Sequence, residues 1–214
     1  MKKHKNKITA AAVIAVILAA SWFWGVNYIN YENYENYEPP AQEPTRDRYE
    51  TDPVPEGRPL PVEPEDVVFG DGTFTVTLFV RCDNLLNNMS ALDRAKRELV
   101  PENGVIFHAA DVTVNEGESV FNVLQREMRR AGIHMEHINT PIYNSAYIMG
   151  INNIYEFDAG ELSGWMYKVN GWFPNYGASR YQLQPGDAVE WVYTLDLGRD
   201  VGDDRMAGGR QTDE

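Results

Sequence analysis

The residues best equipped to hold a ligand lie in Ser163–Tyr193, SGWMYKVNGWFPNYGASRYQLQPGDAVEWVY. Trp165, Tyr167, Trp172, Phe173, Tyr176 and Tyr181 could form a stacking surface for a flat molecule, since aromatic rings combine large apolar area with defined pairing geometry. Asn170 joins this candidate set from the turn that presents the loop. The chemistry would be shape and stacking, with no bond made or broken. Alternation along a strand explains Trp165 and Trp191 equally well as core packing, so the loop from Trp172 to Tyr181 is the preferred site. Other residue groups carry less. His134-x-x-His137 with Glu136 invites a metal, but the surrounding segment does not read as a sustained helix and no further ligand is obvious. A Cys82–His108 pair lacks any neighbouring oxyanion or orienting pattern. No serine elbow, phosphate-cradling loop or dinucleotide fingerprint occurs. No catalytic residue, metal ligand or cofactor is therefore assigned, and the chain is read as a non-enzyme.

Elements must position those aromatics. Trp165-Met166-Tyr167-Lys168-Val169 alternates, so Trp165, Tyr167 and Val169 share one strand face. Asn170-Gly171 is a type I′ hairpin signal, because that turn needs positive φ at both central residues. Pro185-Gly186-Asp187 is a second turn, and Ala188–Thr194 alternates again. Upstream, Thr73–Val80 reads as a half-buried strand with Phe74, Val76, Leu78 and Val80 on one face. Ser90 is placed to start a short helix over Ala91–Leu99. Gly104–Phe107 and Asp111–Val114 read as two short strands, and Tyr147–Ile151 as another. Between them, Ser119 caps a helix over Val120–Ala131. Val120, Val123, Leu124 and Met128 form its apolar stripe, and Gly132 ends it. Strand, strand, one helix, then more strands predicts an α+β fold: a β-grasp-like mixed sheet packed against one main helix.

The rest of the chain reads as a delivery device. Lys2, Lys3, Lys5 and Lys7 precede an apolar run to Val26, so residues 1–26 are a signal peptide or an N-terminal membrane anchor. Residues 27–66 carry an Asn-Tyr-x repeat and then prolines among acids. That composition predicts a disordered, extended stalk. Residues 67–202 are the folded domain and 203–214 a disordered acidic tail. The formal net charge of −13 argues against nucleic acid as a partner. A single cysteine, Cys82, excludes an intramolecular disulfide framework. These features predict a protein on the extracellular face of the membrane, or secreted.

Several motifs together carry a family resemblance. They are Gly117-Glu118-Ser119-Val120 opening the helix, Tyr147-Ile148-Met149-Gly150-Ile151, Gly164-Trp165-Met166-Tyr167-Lys168-Val169-Asn170-Gly171, Gly177-Ala178-Ser179 and Pro185-Gly186-Asp187-Ala188-Val189-Glu190-Trp191-Val192-Tyr193. The chain resembles the DUF4430 domain over about Phe74–Gly202. That domain is in turn similar to the C-terminal domain of transcobalamin and intrinsic factor. The resemblance implies a β-grasp-type soluble-ligand-binding domain on a Gram-positive cell surface, with cobalamin or a related corrinoid as a candidate ligand. It also implies a cysteine after the last strand, where this chain has Leu195. If relatives pair that cysteine with the counterpart of Cys82, the bridge is absent here and Cys82 is a lone thiol. The expected function is non-covalent capture of a small ligand on the aromatic hairpin and loop surface. The alternative is a structural or adhesive surface domain contacting a protein or cell-wall partner.

Overall fold

The computed structural model describes residues 53–203. The lysine-rich start, the apolar run, the tyrosine repeat and the tail from residue 204 lie outside the described residues. Among the described residues no helix is long and apolar enough to cross a membrane.

Two sheets and one main helix make an α+β fold. The first strands, β1 (Thr73–Arg81) and β2 (Val105–Asn115), pair antiparallel. In β1, Val76, Leu78 and Val80 are buried while the residues between them are not, as the period of two requires. The two short strands expected over 104–107 and 111–114 are one strand of 11 residues. Their ladder shifts register between Val76 and Leu78. An irregularity of that kind lets a strand bend and stay paired, so the His108-Ala109-Ala110 break in the pattern does not end it. The 82–104 connection contains short 3-10 turns, including Arg94–Leu99, rather than an α-helix.

Helix α1 (Val120–Ala131) starts at Ser119 and closes at Gly132, whose φ is 68°. Ser119 Oγ accepts from the Asn122 amide, and the Ser119 backbone N–H donates to Asn122 Oδ1. This reciprocal cap satisfies two backbone and side-chain needs at once. Val120, Val123, Leu124 and Met128 are buried, so the amphipathic stripe faces the core. Strands β3 (Met135–Thr140), β4 (Ser145–Ile151) and β5 (Ile154–Tyr155) form a three-stranded sheet in that order. β3 was not legible beforehand because much of it faces solvent and its apolar residues do not alternate cleanly. Strands β6 (Gly164–Val169) and β7 (Ala188–Thr194) complete a four-stranded sheet of order β2-β1-β7-β6. β7 runs parallel to β1, which obliges the chain to cross over through α1 and the smaller sheet.

The segment 53–66, assigned to the stalk from its prolines and acids, lies against the domain. The Val62 N–H donates to Arg180 O (2.9 Å), and Tyr176 Oη donates to Pro59 O (2.7 Å). Residue-specific anchors outweigh a composition that is poor in apolar side chains. We call residues 53–66 the strap.

Candidate functional site

The expected site residues come together, but as a covered cluster. Tyr176 and Tyr181 stack with centroids 6.1 Å apart, and Trp172 sits edge-on to Tyr176 at 6.0 Å. Tyr167 reaches Tyr181 at 6.4 Å and Trp191 at 5.5 Å. Phe173, Tyr176 and Tyr181 are only 4%, 6% and 2% exposed, so the loop from Trp172 to Tyr181 does not present its rings to solvent. Trp172 and Tyr167 are half-buried. Two causes are visible. The 178–181 backbone serves the start of α1: Val120 N–H donates to Tyr181 O (3.0 Å) and Phe121 N–H to Ala178 O (3.1 Å), supplying acceptors that a helix N-terminus lacks. The strap then covers the rings. The Arg58 guanidinium lies 5.3 Å from the Trp172 ring, and fully buried Arg180 pairs with Glu63 at 2.8 Å.

Asn170 acts as a joint between two strands. It and Gly171 have φ of 52° and 78°, as the expected turn needs. Its side-chain amide donates to Asp187 Oδ1 (2.8 Å), and its Oδ1 accepts from the Ala188 N–H (2.9 Å). The end of β6 is thereby tied to the start of β7. Trp165 is buried, donates its Nε1–H to Ile154 O (2.8 Å) and packs edge-on against Tyr193 at 5.3 Å.

One of the concave surfaces of the domain lies beside this cluster. A cleft of about 560 Å³ has Trp165 and Tyr176 among its lining residues. Three connections build its rim: the 141–144 turn, the 156–163 loop and the segment following β7. They bring Tyr143, Phe157, Leu162 and Leu197 to Tyr147 of β4, each of the five between 42% and 62% exposed. Five large apolar side chains held in water around one hollow need a reason. Two of them also sit on left-handed backbone, Phe157 at φ 65° and Leu197 at φ 47°, where a bulky side chain is unfavourable. Tertiary hydrogen bonds hold both. Phe157 N–H donates to Ser163 O (3.0 Å) and Leu197 N–H to Leu162 O (2.9 Å). Buried Ser163 ties the loop internally: its Oγ accepts from Ala159 N (3.1 Å) and donates to Gly160 O (2.8 Å). Tyr193 Oη donates to Tyr155 O (2.7 Å) and meets Ser163 Oγ at 3.0 Å. Burial first, then the nearby Asp158 charge, push the Tyr193 hydroxyl up to about 12. At the rim, Tyr147 donates to the Glu156 carboxylate, and burial together with that bond raises its pKa. Gly177 lets the aromatic loop close on β4, since a Cβ there would lie 2.1 Å from Ser145 Oγ.

Phe157 and Leu197 escaped the sequence reading because they stand singly among polar residues in turn-rich segments. Their contrast with their neighbours was the one available signal. The His134 and His137 rings lie against Tyr155 and Phe121, at centroid distances of 6.3 and 4.8 Å. Among the described residues no three His, Cys, Asp or Glu side chains converge on a metal position. Cys82 is buried, and burial followed by the Asp83 charge pushes its thiol up to about 12.

Fold and cleft together define an α+β domain with an apolar-rimmed hollow. Residues 117–194 match the family model described as domain of unknown function (DUF4430), so the resemblance read from the motifs stands. Among solved structures, haptocorrin in complex with Cbi is similar at 18% identity and a TM-score of 0.43, covering 59% of this chain and 26% of that one. A Ruminococcus gnavus protein provisionally described as metal binding is similar at 14% identity and a TM-score of 0.33, covering 56% of this chain and 96% of that one. This chain thus spans about a quarter of the haptocorrin chain. No curated protein matches.

Proposed function

We propose that the protein is an extracellular binding module that captures a small ligand non-covalently in the Tyr147–Phe157–Leu197 cleft. The observation that carries it is the rim: exposed apolar side chains ring the hollow, and two are held on left-handed backbone. Such strain persists only where the surrounding structure imposes it, and it concentrates at functional positions. A volume of about 560 Å³ lies in the range of small-molecule sites. The order β2-β1-β7-β6, with parallel central strands and a crossover helix, supports a β-grasp-like scaffold. Trp165 and Tyr176 belong to this site as its floor, while Trp172, Phe173 and Tyr181 serve packing. A corrinoid is one ligand to try, with haptocorrin as the structural precedent. The lysine-rich, apolar N-terminus supports export, with the segment acting as an anchor at the outer membrane face or as a cleaved signal.

The test is equilibrium dialysis of the full chain against cobinamide, cobalamin and a panel of flat apolar small molecules. Binding by at least one member is expected, weakened about tenfold or more by Phe157→Ala or Tyr147→Ala. Both side chains are at least 44% exposed, so the substitutions leave the fold intact. If nothing in the panel binds, or if both variants bind as the parent does, the cleft is not the site.

A further inference from the structure

We infer that the ligand of this cleft is a small organic cation with an apolar body, an inference that rests on the binding reading above. It comes from an inventory of what the lining can offer. Among the described lining residues none is Lys, Arg or His; Glu161 is an exposed carboxylate, while Asp203 is buried and already engaged. Five side-chain donors of the lining are spent on the protein itself, while the hydroxyls of Thr140 and Tyr143 are not. Trp165 Nε1–H goes to Ile154 O, Tyr176 Oη–H to Pro59 O and Ser163 Oγ–H to Gly160 O. The Tyr147 hydroxyl goes to Glu156 and that of Thr194 to Asp200. A hydroxyl has only one proton to give. What these groups leave toward a ligand is lone pairs, ring surfaces and carboxylate charge.

An anionic ligand would meet the exposed Glu161 carboxylate and few free donors, at a cost in both Coulomb energy and desolvation. A neutral apolar ligand would gain only burial. A cation with an apolar body gains burial, carboxylate attraction and the ring quadrupoles of Tyr143, Tyr147 and Phe157. The proton on the Tyr147 hydroxyl points to Glu156, so a carboxylate from outside the lining stands behind that ring.

Three matched probes test this on the full chain by ligand-observed NMR titration: benzyltrimethylammonium, its neutral isostere neopentylbenzene, and phenylacetate. The cation is expected to bind about tenfold tighter than the isostere, and phenylacetate weakest of the three. Glu161 is exposed, so Glu161→Gln keeps the fold. It should cut the cation's advantage to about threefold or less and leave the isostere unchanged. The inference is overturned if the isostere matches the cation, if phenylacetate binds best, if Glu161→Gln leaves the advantage intact, or if the cation does not bind. Isostere binding that Phe157→Ala abolishes, with no preference for the cation, would overturn the charge inference alone and keep the cleft as the site.

Discussion

Phe157 carries opposing demands. Its φ of 65° costs of order 1–3 kcal/mol for a side chain of that size, and its ring is 62% exposed, so it recovers little by burial. Glycine adopts that φ freely, at an entropic cost of roughly 0.5–1 kcal/mol. Phe157→Gly should therefore stabilise the domain by about 1 kcal/mol, read as a raised urea midpoint with an unchanged slope, while ligand binding falls. A variant that is both less stable and unaltered in binding would remove Phe157 from the site. Asn144, Asn152, Asn153 and Asn170 also have positive φ, but asparagine tolerates it. Phe157 and Leu197 are the bulky exceptions among the described residues.

At the scale of elements, the strap matters most. Arg180 is fully buried and pairs with Glu63, while Asn144 donates to both Glu63 and Glu65. Tyr176 donates to the strap at Pro59 and also floors the cleft. The strap is thus bonded to the aromatic cluster and to the turn that carries rim residue Tyr143. Removing one partner of a buried charged pair costs more than the pair contributes, because the other charge is left in low dielectric. Glu63→Ala should cost roughly 2 kcal/mol. A chain starting at Val67 should lose at least as much relative to one starting at Pro53, measured by urea unfolding. Equal stability of the two chains would show the strap to be a passive covering.

Across the whole molecule, the fold is built on buried tyrosines. Tyr181 and Tyr193 are 2% and 1% exposed. Burial comes first in raising each to about 12 from an ordinary 10.0, and it also raises Tyr176. Each hydroxyl must keep its proton to stay in the core. The folded state therefore holds more protons than the unfolded state between pH 10 and pH 12. Stability from these groups is complete below the ordinary value and declines as pH rises through the folded one, by about 1 kcal/mol per pH unit for each group. Urea midpoints should decline gently above about pH 9, where the unfolded Cys82 thiol ionises, and fall steeply above 10. Absorbance at 295 nm should show these phenols ionising together with unfolding. A midpoint that holds steady to pH 11.5 would contradict this assignment.

What the chain determined by itself was local. The helix at Val120–Ala131 with its Ser119 cap, the alternation of Thr73–Val80 and the Asn170-Gly171 turn all follow from periodicity and backbone chemistry confined to a few neighbours. Tertiary structure decided which side chains see water. The aromatics of Trp172–Tyr181 look like a displayed surface in one dimension, yet that loop must feed acceptors to α1 and lie beneath the strap. Phe157 and Leu197 look like isolated loop residues, yet hydrogen bonds to Ser163 and Leu162 bring them to one rim. Exposure depends on which distant segment arrives on top of a residue, and no local pattern records it. The aromatic stretch was therefore legible as important, and its division into core, covered cluster and cleft floor came only from the packing.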